Sequence, residues 1–111
     1  MKKLYRFTIG LLVAGLASAW AFDASANYKE HCARCHGEDG KGKTRTGQRL
    51  GAKDYTDAKV QAALKDADAL KAIKEGYTDK RSNRRVMRPT EGLSEQEMKD
   101  LVTYMRKFRK K

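Results

Sequence analysis

Residues 31 to 42 read HCARCHGEDGKG and hold every cysteine and histidine of this 111-residue chain: His31, Cys32, Cys35 and His36. Thiols and imidazoles so close together can bind a metal, cycle between dithiol and disulfide, or carry a larger group attached through carbon. Spacing narrows the choice. If residues 32 to 36 are helical, Cys35 and His36 follow Cys32 by three and four positions, so the three side chains leave one face. His31 adjoins Cys32, points away from that face, and reads as an ordinary surface histidine.

A structural zinc site takes four ligands, commonly as two pairs from separate segments, and the chain has no second pair. A redox-active Cys-x-x-Cys belongs in a βαβ setting that this sequence does not offer, and it gives His36 no task. Cys-x-x-Cys-His is also the attachment signature of c-type haem. There the two thiols add to the porphyrin vinyl groups as thioethers, and the histidine after the second Cys ligates iron. On that reading Cys32 and Cys35 anchor one covalent haem c, and His36 is the proximal iron ligand.

The elements that must position this cluster read as helices and loops. Pro89 is the only proline and β-branched residues are few, so strands have little to build them. GEDGKGKTRTGQRLG at 37 to 51 holds five glycines in 15 residues and is expected to be a loop. Asp57 is placed to cap a short helix, DAKVQAALKD. A second begins near Asp66 or Asp68, sets Ala69, Leu70 and Ile73 at helical spacing, and ends at Gly76. Residues 77 to 92, YTDKRSNRRVMRPTEG, show no periodicity and read as another loop. Ser94 and Glu97 then form a capping box, with Leu93 and Met98 as its hydrophobic staple. Met98, Leu101, Val102, Met105 and Phe108 follow a helical rhythm to the chain end. With two long loops almost free of apolar side chains, so small a domain is short of core, and a large apolar cofactor supplies the missing buried area.

The amino terminus looks like an export signal: Lys2, Lys3 and Arg6 precede an apolar run from Phe7, and small residues follow. We expect a signal peptide over 1–26, cut after Ala26, with a cut after Ala21 as the alternative, and one domain over 27–111. The stretch from Phe7 to Phe22 is shorter than the roughly 20 residues of a spanning helix. Periplasm is the expected location; a retained signal segment would tether the domain to a membrane. Losing Lys2, Lys3, Arg6 and Asp23 takes the net charge from +11 to +9. Residues 80 to 111 alone hold 11 basic and four acidic side chains. Export removes nucleic acid as the target of that charge, leaving an acidic redox partner, an anionic surface or a merely solvated face.

Taken together, these segments resemble the small class I c-type cytochromes with a single haem. The likeness covers essentially all of residues 27–111. It rests on Tyr28 four residues before Cys32, on CARCHGEDGKG running into a glycine-rich loop, on DADALKAIKEG, on MRP at 87 to 89, and on LSEQEMKDLVTYMRKF. The resemblance implies an all-α, cytochrome c-like fold whose helices wrap around one covalently bound haem, the first and last helices crossing. It also implies Met87 as the second axial iron ligand, opposite His36. Met98 and Met105 fit the buried stripe of the last helix, whereas Met87 sits in an irregular stretch among Arg84, Arg85 and Arg88, where packing gives it little motive to be buried.

Two departures from the family pattern stand out. Residues 37 to 55 contain no proline, whose carbonyl in many members accepts a hydrogen bond from the proximal histidine, and Arg88 separates Met87 from Pro89. Two axial ligands would leave iron no open position, so the expectation is an electron carrier and not an enzyme, docking on redox partners with an acidic patch. A permanent subunit of a dehydrogenase or oxidase stays open, as does a haem enzyme or gas sensor should Met87 not hold the iron firmly.

Overall fold

A computed structural model describes Gly10 and residues 23–110 of the protein. Most of the expected signal segment therefore lies outside the described residues. Six helices and one small hairpin follow.

Helix α1, Ala24–His31, opens on Asp23, whose carboxylate accepts from the Ser25 N–H at 3.0 Å. At Cys32 the backbone leaves helical geometry (φ −120°, ψ −36°), and α2, Ala33–His36, resumes at once. The Cys32 N–H donates to the Tyr28 carbonyl and the His36 N–H to the Cys32 carbonyl, both at 2.9 Å. The break is thus a bend within a nearly continuous helical path, and the expected three- and four-residue spacing survives it.

The glycine-rich segment is not all loop. Residues Arg45–Leu50 form α3, capped by Thr44 and closed by Gly51 in the left-handed region. The cap and the run Gln48-Arg49-Leu50 outweigh Gly47, whose presence had argued against a helix. Asp57 caps α4, Ala58–Ala63, through the Lys59 N–H, and α5, Asp66–Glu75, ends at Gly76 as expected.

The second expected loop contains an antiparallel hairpin of β1, Tyr77–Asp79, and β2, Arg84–Met87, with a register shift between Tyr77 and Thr78. Strands of three and four residues are too short for alternation to be visible. The Asp79 carboxylate shapes the tip by accepting from the N–H groups of Arg81 and Ser82 and from the Ser82 hydroxyl, and Asn83 takes φ 54°.

Helix α6, Glu95–Arg106, carries both hydrogen bonds of the Ser94/Glu97 capping box. The other Glu97 oxygen accepts from the Asn27 side-chain amide at 3.1 Å, tying α6 to α1. Leu101, Val102 and Met105 of α6 join Tyr28, Cys32, Tyr55, Ala69 and Ile73 in one buried core. Tyr28 packs its ring on Tyr104 and Phe108 at centroid distances of 5.0 and 5.2 Å, which locks the first helix against the last.

One polar group enters this core. Gln61 is buried and donates from Nε2 to the carbonyls of Tyr55 (2.7 Å) and Met105 (3.0 Å). Arg106 covers it, donating to the Gln61 backbone and side-chain oxygens, to the Leu64 carbonyl and to the Asp66 carboxylate. Every acceptor in this cluster has a donor, as a buried polar network requires. The loop carrying Tyr55 is thereby bound to the end of α6.

Candidate functional site

Cys32 is buried and Cys35 half-buried, and both are free thiols. Burial, with a smaller contribution from neighbouring Cys35, pushes the Cys32 thiol up to about 11. A redox-active cysteine is tuned the other way, towards thiolate at neutral pH, so burial at Cys32 works against that chemistry. Among the described residues no three His, Cys, Asp or Glu side chains converge to hold a metal ion.

His36 lies half-buried at the end of α2, its ring 5.2 Å from that of Tyr55 and tilted by 47°. Burial lowers its pKa, so the imidazole is neutral at pH 7, the form that ligates metals. Its Nδ1 is buried without a hydrogen-bond partner.

The backbone beneath these side chains is unusually well tied. The Thr44 hydroxyl donates towards the carbonyls of Arg34 (2.7 Å) and Cys35 (3.1 Å) while accepting from the Gly47 N–H (2.9 Å). One side chain therefore caps α3 and joins it to α2. Gly47 makes that junction possible, because a Cβ there would overlap the Cys35 carbonyl. Beyond the motif, the Gly42 N–H donates to the His36 carbonyl at 2.8 Å and the buried Tyr28 hydroxyl to the Gly37 carbonyl at 2.6 Å.

Met87 comes from the far side of the sequence, at the end of β2. It is half-buried and packs against the apolar cluster that includes Cys32. His31 is exposed beside Glu30, as an ordinary surface histidine would be. Sequence reasoning missed Tyr55, Thr44 and Gln61. Thr44 is of N-cap type and could have been found from that alone; Tyr55 and Gln61 act through tertiary contacts that leave no local trace.

The profile of the family described as cytochrome c matches residues 23–109. The chain belongs to the cytochrome c family. Among solved structures it is similar to the KustC0563 c-type cytochrome, with 36% identity and a TM-score of 0.69, over 79% of this chain and 99% of that one. A mutant form of the same cytochrome gives 34% identity and a TM-score of 0.66, over 78% and 99%. No curated protein matches. Its fold is thus the all-α cytochrome c fold, its cofactor is covalently bound haem c, and its chemistry is haem-based electron transfer. The donor set fits that cofactor: two unpaired thiols, a neutral imidazole immediately after the second, and an apolar wall around them.

Proposed function

We propose that this cytochrome is an exported one-electron carrier whose haem is held by thioether bonds to Cys32 and Cys35, with His36 and Met87 as axial ligands. Haem supplies an iron that gains and loses one electron without bond rearrangement. The chain supplies rigidity: Thr44, Gly42 and Tyr28 hold the backbone carbonyls on both sides of the proximal histidine, so His36 keeps its place in both oxidation states. Thioether ligation and an apolar surround favour the ferrous state and hence a fairly high potential. The observation that carries the reading is the pair of free thiols beside a half-buried, neutral imidazole whose buried Nδ1 has no hydrogen-bond partner.

Lys80, Arg81, Arg84, Arg85 and Arg88 are exposed on and beside the hairpin that carries Met87. Their role in this reading is to steer the molecule onto an acidic patch of a redox partner. Class I c-type cytochromes are typically exported, and no described helix is long and apolar enough to cross a membrane. Asp23 caps α1 and the Asn27 side chain binds Glu97. The cap favours signal cleavage after Ala21, since a cut after Ala26 removes Asp23 and the first three residues of α1, while Asn27 is retained by either cut.

The test is the visible spectrum of the purified protein, oxidised and reduced, with carbon monoxide added to the reduced form. Sharp low-spin bands, the weak long-wavelength band of ferric iron bonded to sulfur, and indifference to carbon monoxide are expected. A high-spin spectrum that shifts readily with carbon monoxide would replace the carrier with an enzyme or sensor. The mass of the mature protein locates the cut.

A further inference from the structure

The hairpin that presents Met87 is short, and its outer surface is exposed. Two strands alone are marginal in water, so something else must fix the position of Met87. Three separate contacts run to the end of α5. The Arg85 guanidinium, two residues before Met87, donates to the Glu75 carbonyl at 2.9 Å. The Thr90 N–H, three residues after it, donates to the Ile73 carbonyl at 2.8 Å. Between them lies Gly76, the residue that closes α5, with φ +79°. A Cβ on Gly76 would stand 2.5 Å from the Met87 carbonyl oxygen and 3.0 Å from Pro89 Cδ and N.

The carbonyls of Ile73 and Glu75 are orphan acceptors of a helix terminus. Here they are answered by the segment that carries Met87, one on each side of it. Gly76 does more than end the helix: its bare Cα lets the Met87 backbone come closer than any side chain would permit.

We propose that the C-terminus of α5 is the mould that positions Met87, with Gly76 and Arg85 as positioning residues for the axial thioether. This rests on the reading of Met87 as an iron ligand. Neither residue touches iron in this scheme; they act by setting where the Met87 backbone lies. Substituting Gly76 moves that backbone, because backbone carbonyl and proline ring cannot yield as a flexible side-chain tip could.

The test compares four variants of the haem-loaded protein: Gly76→Ala, Arg85→Gln, Met87→Ala and Gly92→Ala. Gly92 has φ +81° with no heavy atom within 4 Å of a Cβ placed there, so its variant carries the same backbone strain without the collision. The readouts are the long-wavelength ferric–sulfur band, the rate of carbon monoxide binding to the reduced form, and fold retention by circular dichroism. Met87→Ala must abolish the band; if it does not, the ligand assignment itself is wrong and the positioning scheme goes with it. Given that loss, Gly76→Ala is expected to weaken or abolish the band and to speed carbon monoxide binding at least about tenfold, the effect of a few multiples of RT of local strain. Arg85→Gln should speed it roughly two- to fivefold, as loss of one hydrogen bond implies, and Gly92→Ala should leave band and rate unchanged. If Gly76→Ala and Gly92→Ala alter the band and the rate alike, strain alone explains the effect and the mould is refuted. If Gly76→Ala does not fold, Arg85→Gln decides: an unchanged carbon monoxide rate overturns the proposal.

Discussion

Replacing Tyr28 with Phe isolates one hydrogen bond beneath the haem-binding motif. The Tyr28 hydroxyl donates to the Gly37 carbonyl at 2.6 Å, and both residues are buried. The Phe ring keeps the contacts with Tyr104 and Phe108, so packing is nearly unchanged. What is lost is the donor, leaving a buried carbonyl unanswered directly after His36. That costs about 1–3 kcal/mol, which for a domain of this size lowers Tm by about 5–20 °C. The pH dependence gives a second handle. Burial, followed by nearby Cys32, holds the Tyr28 hydroxyl well above its ordinary pKa. Its folded pKa is raised, so the neutral phenol's contribution is fully present below the unfolded value, about 10, and declines as pH rises beyond it. Guanidinium unfolding of wild type and Tyr28→Phe, followed by circular dichroism and haem absorption at pH 7 and above pH 10, reads both effects. The stability gap should be widest at neutral pH and narrow in alkali. A gap under about 0.5 kcal/mol at pH 7, smaller than a typical single hydrogen bond, or one that stays constant into alkali, would refute the role assigned to this hydroxyl.

Other perturbations reach the same framework from different sides. Gln61→Ala strips the donors from the carbonyls of Tyr55 and Met105 and leaves a cavity; a loss of about 3 kcal/mol in denaturant melts is expected, and a loss below 1 kcal/mol would mean that water replaces the amide. Gly47→Ala forces α3 away from the Cys35 carbonyl, so mature holoprotein yield should fall severalfold, whereas Gly51→Ala, with open space around a Cβ, meets only the strain of its positive φ, about 1–2 kcal/mol, and lowers the yield less. Arg81→Glu combined with Arg84→Glu should slow association with an acidic redox partner about tenfold or more at low ionic strength and flatten its salt dependence; unchanged stopped-flow rates would leave the basic hairpin a merely solvated face.

Much of this protein was legible because its signals are local. Cys32, Cys35 and His36, the residues proposed to hold the haem, form a Cys-x-x-Cys-His motif within five residues, and the caps at Asp57, Gly76 and Ser94 act within one helical turn of themselves, so neighbouring sequence suffices to place α4, α5 and α6. The hairpin escaped notice because three- and four-residue strands carry no readable period, and α3 because its glycine count spoke louder than its Thr44 cap. Only the tertiary structure could bring Tyr55 against His36, span 44 residues from Gln61 to the Met105 carbonyl, or set Met87 in the end of α5. Such contacts depend on which surfaces meet when the helices pack. The sequence alone thus determined which cofactor this protein binds and where α4, α5 and α6 lie; long-range packing decided how firmly, and in what place, α3, the hairpin and the segments of the proposed site are held.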